Sequence, residues 1–349
     1  MICFVALYRS LDLIDDCPDI AAMRYGTLRY TTDRLLCGVL DGSSLRHALQ
    51  SMPRLRSLTM RLSYDELHGL PWSTLDAIFS VHHLREIVIK SYIFCPRHFP
   101  ATTISPEMLP PLTSFTYQLR TSLRRPRSYD VEREAVSAVV GGMCHSLQAL
   151  TLPSASVSFT MFQSTAWRYL RSLTLIGEYP TGLSRPLVSV LGRMPELSAL
   201  VLAFALPVHI DRQPIWPHGA APAIPWPKLV DLTVSFPDPE DQIFSNLPPG
   251  LRRLSLICCP RHCFYEWELR VSYPWHSPIL SATDMLRVLS SINAPSLEGL
   301  VLEYRADESD EALLHRIVTN FPGLNILEMH RFRAVGEEAV PVVSPNLVS

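Results

Sequence analysis

The chain has 349 residues, 47% of them hydrophobic, and a formal net charge of −2. Such an apolar fraction is ordinary for a folded protein and argues against wholesale disorder. The near-zero net charge gives no electrostatic reason to expect a nucleic-acid partner. The opening residues lack the basic start of a signal peptide, and no apolar run reaches the ~18 residues that a membrane span requires. We therefore expect an intracellular protein, in the cytoplasm or nucleus, that does not bind membranes.

Residues 1–50 contain no regular repeat. One amphipathic helix is predicted near their end, over residues 45–52. We interpret this segment as an N-terminal cap or the remnant of a separate module.

From residue 51 onward one pattern dominates: Leu-x-x-Leu-x-Leu, with other apolar residues sometimes replacing leucine. Ten copies occur at an average interval of about 30 residues. The last two apolar positions of a copy are two residues apart, so in a strand both side chains point into the core and the residue between them points out. The copies begin at Leu55, Leu84, Leu112, Leu147, Leu170, Leu197, Leu229, Leu251, Leu297 and Leu324.

Between the copies the apolar period becomes helical, most clearly over residues 131–144, 187–194, 284–292 and 311–318. A repeated unit of strand, turn, helix and return predicts an α/β leucine-rich-repeat solenoid, a right-handed horseshoe with parallel strands on its concave face and helices on its convex face. A doubly wound α/β enzyme is the rival, but its strands would be apolar on both faces. We place the array at residues 51–336 and a flexible tail at 337–349.

Three segments interrupt the array. Residues 120–127 carry four arginines, which suit either an acidic partner or a solvated loop. Residues 207–227 carry six prolines and two tryptophans, and residues 260–281 carry five aromatic side chains. The aromatic side chains of these inserts either contact a partner or pack on the array. The candidate partner-binding residues in these inserts are Trp216, Trp226, Tyr265, Trp267 and Trp275.

The sequence predicts no catalytic residue, metal site or cofactor, and so no enzyme. The densest group of metal-type ligands is Cys258, Cys259, His262 and Cys263, but it lacks the spaced pairs that tetrahedral zinc requires. Structural thiols are the favoured interpretation. No phosphate-binding loop and no nucleophile elbow occurs.

The residues expected on the concave face show a gradient of charge. Early repeats present basic side chains, middle repeats apolar ones and late repeats acidic ones. Such a surface suits an extended protein partner of complementary charge. The candidate partner-binding residues of this face are Arg56, Arg61, Arg85, Lys90, Ile176, Ile257, Glu303 and Glu328.

The repeats at residues 53–60, 251–256 and 295–300 resemble leucine-rich repeats of the ribonuclease-inhibitor type. With the segments 214–219 and 277–282, the whole chain resembles the F-box/leucine-rich-repeat proteins of mushroom-forming basidiomycete fungi. This resemblance implies the substrate-recognition part of a ubiquitin ligase adaptor, whose F-box docks a Skp1-type ligase core. Residues 1–50 would be an F-box-like remnant, although they lack the Leu-Pro-x-Glu opening of that module. The alternative is a non-enzymatic scaffold or inhibitor unrelated to ubiquitin transfer.

Overall fold

The computed structural model describes residues 9–15, 42–62, 69–95, 106–119, 130–220, 225–260, 275–276 and 278–333. Their strands, in chain order, are β1 (Ser10–Asp15), β2 (Ser57–Leu62), β3 (Gly69–Leu70), β4 (Glu86–Lys90), β5 (Ile93–Phe94), β6 (Ser114–Gln118), β7 (Ala149–Pro153), β8 (Ser172–Glu178), β9 (Ala199–Pro207), β10 (Asp231–Ser235), β11 (Arg253–Ile257), β12 (Trp275–His276), β13 (Gly299–Arg305) and β14 (Ile326–Phe332).

Eleven of these strands form one parallel sheet in the order β1-β2-β4-β6-β7-β8-β9-β10-β11-β13-β14. Each strand therefore lies beside the strand of the next repeat, as expected when one repeat unit stacks on the last. Strand β12 pairs with the end of β9 in the antiparallel sense, and β3 pairs with β5 in a small second sheet.

The helices share the buried core with one side of the large sheet. We call the opposite side of that sheet the concave face. No helix among the described residues is long and apolar enough to cross a membrane. The helices are α1 (Gly42–Gln50), α2 (Trp72–Phe79), α3 (Asp130–Gly142), α4 (Phe159–Ser164), α5 (Leu187–Val190), α6 (Ala282–Ser291) and α7 (Asp310–Asn320), with single 3-10 turns at Pro106–Met108, Ser154–Ser156 and Phe244–Asn246.

One backbone carbonyl in each repeat locks the stacking in register. The carbonyl oxygen of Arg56 accepts the N–H groups of both Arg85 and Glu86, at 2.8 and 3.0 Å. The same doubled bond recurs at every step between neighbouring parallel strands, because each repeat enters its strand in the same conformation. The ten accepting residues are Arg9, Arg56, Arg85, Thr113, Gln148, Arg171, Ser198, Val230, Arg252 and Glu298.

The repeated apolar positions form the core. In the first nine copies of the motif all three positions are buried. The last copy differs, since Leu327 of β14 is 46% exposed and Leu324 and Met329 are half-buried. Within the described part of the chain no further strand stacks on β14. The strand register and this burial confirm the predicted α/β leucine-rich-repeat solenoid.

Strand β1 lies inside the segment that the sequence assigns to a cap or F-box remnant. It pairs in parallel with β2, and its Leu11 and Leu13 stand opposite Leu58 and Met60. Helix α1, close to the predicted helix at 45–52, packs on α2. The described parts of residues 1–50 thus pack directly on the first repeat of the array. The predicted tail at 337–349 lies outside the described residues.

The convex side is less regular than the strands. Helices α3, α6 and α7 match the predicted segments closely, whereas the segment predicted as a helix over 187–194 is helical only from Leu187 to Val190. Pro195 has no N–H to donate to the carbonyl of Leu191, so the helical hydrogen bonds cannot continue there. That carbonyl accepts the indole N–H of Trp226 at 3.0 Å instead.

Candidate functional site

The outward side chains of the concave face stand in rows, because the strands pair in register. The middle row is almost uncharged and consists largely of threonine and valine. Thr116, Thr151 and Thr174 stand side by side on β6, β7 and β8. These side chains are half-buried, as expected for one exposed face of a sheet. This row offers a flat, mildly polar surface.

A depression interrupts the concave face at the carboxyl ends of β2 to β8. We call it the groove. Its volume is about 410 Å³. It crosses five adjacent strands, so its long direction runs across the sheet. The residues that line it are Arg61, Leu62, Lys90, Ser91, Tyr117, Gln118, Leu119, Thr151, Leu152, Pro153 and Ile176.

One end of the groove is basic. Arg61 and Lys90 are register partners on β2 and β4, and both are exposed. The guanidinium of Arg61 forms an ion pair with Asp12 of β1 at 3.3 Å. Lys90 forms no ion pair within the ranges that the structure describes. Of the eleven lining residues none is acidic, so the groove carries net positive charge.

The other end of the groove is apolar. Pro153 and Ile176 are register partners on β7 and β8, and Leu119 follows directly after β6. Ile176 and Leu119 remain partly exposed. Between the two ends, Gln118 and Thr151 supply neutral hydrogen-bonding groups. The groove therefore passes from cations through amide and hydroxyl groups to an apolar surface.

Buried polar contacts hold the floor of the groove in place. The hydroxyl of Tyr117 donates to the carboxylate of Glu132 at 2.5 Å and accepts the N–H of Phe94 at 3.1 Å. The same carboxylate accepts the hydroxyl of Ser156 at 2.6 Å. Because this network is buried and centred on a charged carboxylate, it fixes β5, the end of β6 and the start of α3 relative to one another.

The backbone turns sharply where β4 ends. Ser91 has a φ of 65°, a left-handed conformation unusual for a residue with a side chain. Its N–H donates to the carbonyl of Gln118 at 2.9 Å. This bond ties the end of β4 to β6 and sets the point from which the Lys90 side chain leaves the sheet.

The groove brings together three of the candidate residues, namely Arg61, Lys90 and Ile176. The sequence did not single out Gln118 or Pro153, which line the same groove. Both occupy the position one residue beyond the last core residue of their motif copy, the same position as Arg61, Lys90 and Ile176. That positional rule was available in the sequence and would have found them.

Arg56 and Arg85 lie at the edge of the sheet rather than on the concave face. Each immediately precedes a strand, and its guanidinium turns back onto backbone carbonyls. Arg56 donates to His83 at 3.2 Å and Arg85 to Leu84 at 2.7 Å. The predicted concave placement is therefore wrong for these two arginines, because their side chains bond backbone carbonyls in the turns that precede β2 and β4.

Glu303 is on the concave side of β13 but is only 2% exposed. Its carboxylate accepts the N–H of Cys258 at 2.7 Å, and the thiol of Cys259 donates to the carbonyl of Ala203 at 3.3 Å. The segment after β11 thus folds over the concave face, and Glu303 supports that segment instead of offering a charge to a partner. Ile257 is half-buried. The exposed Glu328 lies on β14, far along the sheet from the groove, and bonds His330 at 2.6 Å.

Trp216 and Trp226 are core residues, with exposed fractions of 4% and 2%. Beneath the first insert, the buried carboxylate of Asp241 accepts the N–H groups of Ile215 and Trp216 at 2.5 and 3.0 Å. The assignment of these two tryptophans to a partner surface is therefore wrong, because the insert packs its aromatic side chains onto the array.

The second insert also returns to the array. Its Trp275 pairs through the backbone with Pro207, and His276 with Leu206, in the two-residue strand β12. The other two candidates of this insert, Tyr265 and Trp267, lie outside the described residues.

The cysteine pair has a structural setting. The thiol of Cys258 donates to the carbonyl of Pro278 at 3.5 Å. Burial, and secondarily Glu303, raises the pKa of Cys259 to about 12, so its reactive thiolate form is negligible at neutral pH. Among the described residues no group of three or more side chains is placed to hold a metal ion. His262 and Cys263 lie outside those residues.

No protein-family model matches the chain, and no curated protein matches it. Among solved structures, the chain is similar to an internalin (inlF) from Listeria monocytogenes, at 13% sequence identity and a TM-score of 0.33. The match covers 82% of this chain, which spans 65% of the length of that structure. The fold class itself rests on the register and the buried leucines described above.

Proposed function

We propose that this protein is a non-catalytic leucine-rich-repeat module that binds a protein partner through its concave face, with the groove as the centre of contact. The observation that carries the proposal is the make-up of the groove. It places the exposed cations Arg61 and Lys90 and the partly exposed Ile176 in one depression on a rigid sheet. Charged and apolar side chains converging on a pre-formed surface are characteristic of binding sites.

The remainder of the concave face supports a binding role of limited extent. Beyond β9 the segment after β11 covers part of the surface, as the Glu303–Cys258 bond shows. The open surface is therefore concentrated on the earlier strands, around the groove. A stable interface buries about 800 Å² on each partner, so contacts would extend from the groove over the threonine row.

Site-specific crosslinking tests the proposal. A photo-reactive p-benzoylphenylalanine replaces Thr151, which lines the groove, or Ala312, which is exposed on helix α7 at the convex side. After irradiation in an extract of the source organism, we expect a discrete adduct of one partner protein from the Thr151 position and none from the Ala312 position. Equal adducts from both positions, or none from Thr151, would contradict a concave binding site.

The particular role that we propose is substrate recognition in an F-box-type ubiquitin ligase adaptor, acting in the cytoplasm or nucleus. The support is the resemblance of the whole chain, with its segments 214–219 and 277–282, to F-box/leucine-rich-repeat proteins. Co-purification with a Skp1-type protein of the same organism tests it, with the full chain as bait. A stoichiometric complex supports the adaptor role, and its absence favours the scaffold or inhibitor alternative while leaving the binding groove in place.

A further inference from the structure

We propose that the groove binds an extended segment of the partner in which an acidic residue and a large apolar residue are separated by three or four positions. This inference rests on the proposed function and specifies the ligand of the same site. The acidic side chain would contact Lys90 and Arg61, and the apolar side chain would pack on Pro153 and Ile176.

The charge of the groove selects the acidic residue. Its lining includes two cations and no carboxylate. Arg61 already shares its charge with Asp12, whereas Lys90, one strand further into the groove, has no ion pair within the described residues. A carboxylate placed between them would gain charge-assisted hydrogen bonds in a partly enclosed site, where such bonds are stronger than in open water. The same groove disfavours a basic segment.

The distance between the strands determines how far apart the acidic and apolar residues lie in the peptide. Neighbouring strands lie about 4.8 Å apart. Pro153 on β7 lies two strands beyond Lys90 on β4, and Ile176 on β8 lies three strands beyond it. The apolar contacts are therefore roughly 10–14 Å from the cation along the groove. An extended peptide advances about 3.3 Å per residue, so the two anchoring residues are three or four positions apart in its sequence.

The middle of the groove suits a peptide backbone. Gln118 offers both an amide donor and a carbonyl acceptor, and Thr151 offers a hydroxyl. These groups can pair with the N–H and C=O groups of a segment that crosses the strands, so its backbone need not lose hydrogen bonds on leaving water. A helix is about 10–12 Å wide and would reach these groups poorly in a depression of about 410 Å³.

The test uses the full chain, immobilised, and a phage-displayed library of random twelve-residue peptides. We expect the enriched sequences to share one Asp or Glu and one Leu, Ile, Met or Phe separated by three or four positions. The best enriched peptide is then synthesised with a fluorescent label, and its affinity is measured by polarisation for three proteins: the parent, Lys90→Glu and Arg54→Glu. Arg54 is the matched control, because it is exposed in the turn before β2, away from the groove.

We expect Lys90→Glu to weaken the peptide at least 10-fold and Arg54→Glu to change it less than 2-fold, with both variants unfolding at the parent temperature. Enriched sequences without the acidic–apolar pair, or equal weakening by both variants, would overturn the inference. If no peptide is enriched while the Thr151 crosslink to a partner persists, the inference fails and the proposed function stands. If the crosslink is also absent, both fail.

Discussion

The carboxylate of Glu303 on β13 accepts the backbone N–H of Cys258 at 2.7 Å, across 45 residues of sequence. The bond joins the segment after β11 to the concave side of β13, the next strand of the sheet. It explains why an acidic residue at an outward-facing position is buried.

The first prediction concerns this hydrogen bond. Glu303→Ala leaves the N–H of Cys258 without its acceptor in a buried setting, and we expect the free energy of unfolding to fall by about 1–3 kcal/mol. Glu303→Gln keeps an acceptor oxygen and should cost less. Urea denaturation measures both, with Glu308→Ala at an exposed position as the control. If Glu303→Ala were as stable as the Glu308→Ala control, the covering segment would not depend on this bond.

The second prediction separates packing from partner binding at Trp226. Its indole ring is buried and its N–H donates to the carbonyl of Leu191. We expect Trp226→Ala to lower the free energy of unfolding by about 3–5 kcal/mol, because a large cavity opens in the core. Tyr169→Ala is the control, since that side chain is 56% exposed. A Trp226 variant with parent-like stability but weakened partner binding would restore the interface role.

The third prediction tests the strand register. Leu254 of β11 is fully buried, whereas Thr233 of the adjacent strand β10, the register partner of Ser255, faces the concave side. We expect Leu254→Ala to cost about 2–5 kcal/mol and Thr233→Ala less than about 0.5 kcal/mol in a denaturant melt. Leu327→Ala should cost less than Leu254→Ala, because Leu327 is 46% exposed at the end of the described array. Equal costs at Leu254 and Thr233 would contradict this assignment of inward and outward positions.

The fourth prediction concerns pH. Burial raises the pKa of the Asp241 carboxyl to about 6, although the N–H groups of Ile243, Ile215 and Trp216 oppose that rise. In the unfolded chain the pKa is about 3.9, so between these values the folded state binds the proton more tightly. The contribution of Asp241 to stability is therefore greatest below pH 4 and decreases as the pH rises to about 6.

Asp241→Asn reveals this contribution, because the amide does not titrate. The free energy of unfolding of the parent minus that of Asp241→Asn should decrease between pH 4 and pH 7, by an amount on the order of 2–3 kcal/mol. Contributions from other groups cancel in this difference. If the difference grew with pH instead, the three N–H donors would outweigh burial and hold the pKa below its usual value.

The fold was predictable because its signal is repeated. Each copy of the motif places three side chains in the core. Because the same spacing recurs in ten copies, an irregular residue in one copy does not hide the pattern. The motif did not locate β1, whose Leu11 and Leu13 lie 47 residues before Leu58 and Met60 in register. The short strands β3, β5 and β12 lie outside the ten copies and carry no repeated signal.

The candidate site was only partly predictable. Arg61, Lys90 and Ile176 follow from strand alternation alone, because alternation depends on local backbone geometry. The burial of Glu303, Trp216 and Trp226 depends on how irregular segments fold over the array. These contacts join residues far apart in the chain and leave no periodic pattern in the sequence. The prediction for the edge arginines Arg56 and Arg85 failed for a different reason. Each lies just before its strand, where side chains do not yet alternate between the two faces of the sheet.

The most direct test of the central claim is the affinity of the partner recovered by crosslinking at Thr151, measured by calorimetry for the parent chain, Ile176→Asp and Lys90→Glu. Both side chains line the groove and neither is fully buried, so the variants should fold. We predict that each variant weakens the partner at least 10-fold, a loss of about 1.4 kcal/mol or more, with an unchanged melting temperature. Parent-like affinity in both variants would contradict the assignment of the groove as the binding surface.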